Sequence, residues 1–250
     1  MRKVYIQKQG NRIFSESCYA AALGFAHKGY HVVECEADAN LFVALCNEPE
    51  SMFVGGIKTM QKAFRAIAVT PPQIDNPHIH LPEYLGREVL EATWYDVEQM
   101  VEANQLPIFV KPLDEQKLFT GYVINNKSDL SYAKYDVKHD TKILISETVN
   151  FISEYRCFVL NGEMVGCKNY KGDFMVTPNF PLMASAIKDY KEQPVAYSID
   201  FGVTDEGATL LIEMNDAYGL GSYGLDKNIY CRLLEARWDE IVKNSIDARN

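Results

Sequence analysis

Two β-rich runs around one tight turn constrain this chain more than any other stretch. Residues 197–203 (YSIDFGV) and 209–216 (TLLIEMND) flank Asp205, Glu206 and Gly207, a cluster of turn formers. A two-residue loop at Glu206-Gly207 sets Asp200 opposite Glu213, and a four-residue loop beginning at Thr204 or Asp205 keeps the same parity. Asn215 lies two residues beyond Glu213 and shares its face. Two carboxylates placed opposite each other repel, and a bound divalent cation removes that repulsion. Three oxygen-bearing side chains with room for water and phosphate oxygens suit Mg²⁺. Ile199, Phe201, Leu210 and Ile212 read as buried neighbours, unlike those of a generic solvated face. Asp200, Glu213 and Asn215 are therefore candidate metal ligands.

The rest of the chain must supply a core and a substrate for such a site. At 250 residues, with 47% hydrophobic and 24% charged residues, there is material for one large domain or two small ones. A net charge of −9 argues against a broad nucleic-acid footprint. No apolar run approaches the roughly 18 residues of a membrane span. The first seven residues have no signal-type apolar region, so the cytoplasm is the expected compartment. The six cysteines (18, 35, 46, 157, 167, 231) form no CxxC and are expected to be reduced and mostly buried.

The first third reads β-α-β: a strand at 4–7, a helix at 17–30 and a strand at 31–36. Gly55-Gly56 then leads into a helix at 57–67 and a short strand at 68–70. Four prolines and two histidines between Pro71 and Pro82 mark a crossover. Residues 85–90 read as a helical turn or short helix, and Thr93 with Asp96 as a capping box for a helix at 94–103. Beyond Gln105 the character is β, with runs at 108–110, 142–146, 155–160, 163–167, 196–203 and 208–215, before a helix at 227–244. This predicts a small α/β domain over 1–92 and a larger α+β domain over 93–250.

No phosphate-binding P-loop, dinucleotide fingerprint, nucleophile elbow or zinc-protease motif is present. Cations occur elsewhere. Lys111 ends a buried-type strand, next to a loop carrying Lys117, Thr120 and Gly121 whose amides suit a polyphosphate. The apolar strand 143–145 runs into Glu147, Thr148 and Val149, an extended segment able to present backbone groups to an adenine edge. Glu154 is placed to accept both ribose hydroxyls. Asn161-Gly162 signals a hairpin. A two-residue turn there puts Arg156 opposite Cys167; a three-residue loop puts it opposite Lys168. Only the second brings both cations to one face without a bulge.

This order of residues resembles the ATP-grasp superfamily. The spacing of Glu147 to Glu154, and of Asp200 to Glu213 to Asn215, is similar to that of D-alanine–D-alanine ligases. The segments FVKP, FTG and EYRCF, with Lys168, look more like a small bacterial and phage clade marked by an arginine and two lysines, which map to Arg156, Lys111 and Lys168. The likeness covers roughly residues 105–220. It implies an ATP-grasp fold preceded by a small pre-ATP-grasp α/β domain, with ATP between two α+β subdomains. Glu147 to Val149 would meet adenine and Glu154 the ribose. Lys111, Lys117, Arg156 and Lys168 would hold phosphates, beside Thr120 and Gly121. Asp200, Glu213 and Asn215 would hold Mg²⁺. The implied reaction is an ADP-forming ligation: a small-molecule or peptide carboxylate becomes an acyl phosphate and is attacked by an amine. A non-catalytic nucleotide sensor and a phosphoryl transferase are the other functions this fold could serve. Residues 216–224 depart from the ligase pattern where the acceptor would be contacted, so the acceptor is left unspecified.

Overall fold

The computed structural model describes residues 1–72, 77–113, 118–133 and 137–247. In chain order the first layer holds β1 (Lys3–Gln9), β2 (Arg12–Ile13), α1 (Glu16–His27), β3 (His31–Cys35), α2 (Ala39–Asn47), β4 (Met52–Val54) and α3 (Ile57–Ala66). Next come α4 (Pro77–His80), β5 (Val89–Thr93), α5 (Trp94–Glu102), β6 (Ile108–Pro112), β7 (Tyr122–Ile124) and β8 (Lys142–Ser146). The chain continues through β9 (Phe151–Leu160), β10 (Glu163–Gly172), α6 (Phe180–Asp189), β11 (Ala196–Thr204), β12 (Thr209–Asp216) and α7 (Lys227–Asp247). Short 3-10 turns occupy Pro82–Tyr84, Lys127–Ala133 and Ala217–Gly219.

Three sheets result. In the first, β1 pairs in parallel with β3 and β4, and β2 adds an antiparallel step at its end. The second has the order β5-β8-β6-β7 and the third β10-β9-β11-β12, both antiparallel throughout. Each packs apolar residues on a core, and the third sheet also gives Phe158 and Leu160 to the core of the first. Val4, Phe25 and Phe64 meet Trp238 of α7 in the first; Trp94, Val110 and Ile145 lie in the second; Ile199, Phe201 and Met183 of α6 lie in the third. No helix among the described residues is long and apolar enough to cross a membrane.

Local chemistry explains the helix starts. Ser15 accepts from the Cys18 amide, Asp38 caps α2, and Thr93 and Asp96 form the reciprocal capping box read from the sequence. Two readings need correction. Residues 68–70 form no strand: Ala68 adopts a φ of 58° and ends α3. The expected helical turn at 85–90 is replaced from Val89 onward by β5, which is drawn into the sheet by pairing with β8. The helices α2 and α6 had no counterpart in the sequence reading.

The β9–β10 turn combines both register alternatives. Asn161 and Gly162 take φ values of 53° and 76°, a two-residue hairpin turn with Leu160 opposite Glu163. One extra residue, Val165, then shifts the ladder so that Arg156 faces Lys168. Asp200 likewise faces Glu213, by a route neither loop length anticipated. The turn closes with the Thr204 amide donating to the Ala208 carbonyl at 2.9 Å, and the extra residue Ile212 restores the predicted pairing.

Candidate active site

A cleft of about 580 Å³ opens between the second and third sheets, a size that suits a small-molecule site. Side-chain alternation builds its floor: Val110, Ile143 and Ile145 point into the core, while Phe109, Lys111, Leu144 and Ser146 face the cleft. Thr120 and Gly121 overhang it. A Cβ on Gly121 would come within 2.7 Å of the Phe109 ring and 3.1 Å of Lys111 Cβ, so only glycine lets this loop lie so close. Glu147, Thr148 and Val149 form the extended connection between β8 and β9 and line one end. The opposing wall carries Glu154, Tyr170, Ile212 and Glu213. Tyr170 and Ile212 are both the extra residues of β-bulges, which re-aim them toward the cleft. Lys117 lies outside the described residues.

Register aligns four charged residues across the third sheet: Lys168, Arg156, Asp200 and Glu213 stand in consecutive strands as direct neighbours. The Arg156 guanidinium donates to Asp200 twice, Nε to Oδ1 at 2.9 Å and Nη2 to Oδ2 at 2.6 Å, and reaches Glu213 Oε1 at 3.5 Å. The expected bare repulsion between the two acids is therefore absent, because an arginine bridges them. Burial opposes the charge on Arg156, but Asp200 overrides it and holds the guanidinium above its ordinary value. Asp200 has no exposed surface, and burial pushes its carboxyl up to about 7 against the pull of Arg156. Asn215 Nδ2 donates to Glu213 Oε1 at 2.9 Å, which leaves the Asn215 carbonyl oxygen as an acceptor. Glu154 is paired with Lys171.

The floor is different. Lys111 is half-buried and has no carboxylate partner within ion-pair distance among the described residues. Burial lowers its pKa, Glu213 pulls the other way among the described residues, and the like charge of Arg87 lowers it further. Arg87, which the sequence reading missed, lines the same cleft. Its Nη1 donates to the carbonyls of Leu85 and Leu211, both at 2.9 Å, and burial alone lowers its pKa. Tyr170, Lys171 and Tyr223 were missed as well. The Tyr170 and Tyr223 rings lie 5.7 and 4.7 Å from the Arg156 guanidinium.

The oxygen donors suit a hard cation. Glu213 opens to the cleft and Asn215 has a carbonyl oxygen to give, whereas the Asp200 oxygens already accept from Arg156. Among the described residues no group of three or more His, Cys, Asp and Glu side chains gathers as a metal centre.

Two sheets enclosing a cleft with cations on its floor and an acid-amide pair on its wall define the class: the chain belongs to the ATP-grasp superfamily, a family of ATP-binding ligases. Residues 84–233 match the ATP-grasp domain, R2K clade family 2, and the chain is a member of that family. Solved structures agree in fold. D-alanine–D-alanine ligase from Bacillus anthracis superposes with a TM-score of 0.59 at 14% identity, covering 99% of both chains. D-cycloserine synthetase DcsG gives 0.61 at 11% identity, over 95% of this chain and 99% of that one. The macrocyclase MdnC from Microcystis aeruginosa, solved with the precursor peptide MdnA, gives 0.53 at 10% identity, over 94% and 100%. No curated protein matches the sequence.

Proposed function

We propose that this chain is an ADP-forming ligase that activates a carboxylate with ATP and passes it to an amine. The observation that carries the reading is the charge arrangement of the cleft. Lys111 and Arg87, neither with a carboxylate partner among the described residues, form a floor facing Glu213, which the Arg156–Asp200 pair backs on the wall. A nucleoside triphosphate supplies the missing negative charge.

Glu147, Thr148 and Val149 meet the adenine edge, and Glu154 takes the ribose hydroxyls. Lys111, Arg156 and Lys168 hold phosphates, with Thr120 and Gly121 over them, and Lys117 is assigned to the same loop. Glu213 and Asn215 would hold Mg²⁺, and Asp200, the third residue of the set, would act from behind them by holding Arg156. When bound, the ion neutralises charge on the terminal phosphates.

The substrate carboxylate oxygen attacks the γ-phosphorus as the bond to the β-phosphate oxygen breaks, releasing ADP. The amine then attacks the acyl carbon, phosphate departs and the nitrogen loses a proton. Both steps need positioning and charge stabilisation rather than a side-chain nucleophile. A small molecule or a peptide carries the acceptor carboxylate. The peptide option draws support from the macrocyclase neighbour solved with its precursor peptide.

The test is ATP turnover against a panel of carboxylates and amines with nucleotide products resolved. ADP and phosphate released only when both substrates are present is the expected result. Stoichiometric AMP and pyrophosphate would overturn the acyl-phosphate route.

A further inference from the structure

We infer that Tyr223 is a positioning residue for Arg156, and that the first layer, through Ser17, fixes where Tyr223 stands. The inference rests on the reading of Arg156 as a triphosphate contact. Asp200 grips one edge of the guanidinium through Nε and Nη2. A paired edge still leaves the plate free to tilt. The Tyr223 ring, 4.7 Å from the guanidinium, blocks that tilt, and Tyr170 supports it at a ring separation of 5.6 Å. Arg156 Nη1 has no hydrogen-bond partner among the described residues, so the held plate presents an open donor.

Burial does not explain this tyrosine, which is 49% exposed. Its backbone is also costly: φ is 46°, the left-handed region that a bulky side chain avoids. The surrounding loop enforces it. The Ser222 amide donates to Ser17 Oγ on α1 at 2.9 Å, and the Leu225 amide closes a turn onto the Ser222 carbonyl at 2.8 Å. Leu225 itself packs over Gly166, where a Cβ would come within 2.4 Å of it. A segment anchored on both sides, holding a strained and exposed aromatic against a buried arginine, has the character of a clamp.

Calorimetric titration with the β,γ-imido analogue of ATP and with AMP, on the full chain, tests this. Tyr223→Leu is expected to weaken the imido analogue about tenfold, the scale of a cation–π contact, and to leave AMP unchanged. Tyr223→Phe keeps the ring and should stay within about twofold of the unaltered chain. In an Arg156→Gln background the Tyr223→Leu loss should vanish, since the two act through one contact. Ser17→Ala, which cuts the tether but spares the ring, should reproduce the triphosphate-selective loss at about threefold, and it stands in if Tyr223→Leu does not fold. Equal weakening of AMP and the imido analogue, or unchanged binding in these variants, would overturn the positioning role while leaving the ATP reading intact. An unaltered chain that binds neither nucleotide would overturn both.

Discussion

On the β9–β12 wall Arg156 meets Asp200 at 2.9 and 2.6 Å and Lys171 meets Glu154, whereas on the β5–β8 floor Lys111 and Arg87 have no carboxylate partner among the described residues. One side of the cleft is electrostatically complete before any ligand arrives. The other, among the described residues, still lacks a counter-charge that an anion would supply. Stability is thus concentrated on the wall and affinity on the floor, because a buried unpaired charge is a cost in the free protein that binding removes.

The largest test of this contrast is Asp200→Asn. It leaves buried Arg156 without its closest counter-charge, with Glu213 only at 3.5 Å, and urea denaturation should show a loss of about 3–5 kcal/mol. This reverses what two facing acids alone imply, which is an unchanged or slightly stabilised protein. Full stability in the variant would break the description of the wall. Saturating ATP at about 100 times its Kd should add about 2.7 kcal/mol to the unaltered chain and nothing to Lys111→Met.

Without nucleotide, Lys111→Met should be the more stable protein by about 1 kcal/mol. Its pH dependence sharpens the point. Below the depressed pKa of Lys111 the amine is charged in both folded and unfolded chains, and the burial penalty is full. As pH climbs from that value toward the ordinary 10.5, the folded amine sheds its proton first and the penalty lifts. The stability advantage of Lys111→Met should therefore shrink with rising pH; an advantage that grows would show that burial does not set the Lys111 pKa. The smallest effect is expected at Lys171→Ala. Lys171 is mostly exposed, so chemical denaturation should move by no more than about 0.5 kcal/mol.

Features decided by neighbouring residues were legible in the sequence. Thr93 and Asp96 announce their capping box, Asn161-Gly162 its turn, and strand alternation puts Asp200, Glu213 and Asn215 on one face. Features that depend on an inserted residue were not. Val165, Tyr170 and Ile212 carry no composition that marks them as bulges, yet they decide that Arg156 faces Lys168 and that two side chains turn into the cleft. Arg87 was missed because its place on the cleft floor, held by the Leu85 and Leu211 carbonyls, is set by three-dimensional packing. Tyr223 was missed because it meets Arg156 across a separation in sequence that no local pattern spans.

The last helix raises a matter of timing. Trp238 of α7 stacks on Phe64 with ring centroids 4.7 Å apart, and Tyr230, Leu234 and Ile241 complete the core begun by Val4 and Phe25. Arg237 of the same helix also grips Asp216, the residue after Asn215, with Nε 2.9 Å from Oδ1. A ribosome therefore makes the first sheet long before it makes the helix that covers it. The apolar surface of that sheet stays open while the two later sheets emerge, and it is covered only once α7 has followed them. The same closing step seats the strand that carries Glu213 and Asn215, so an unfinished chain has neither a sealed first layer nor a settled site.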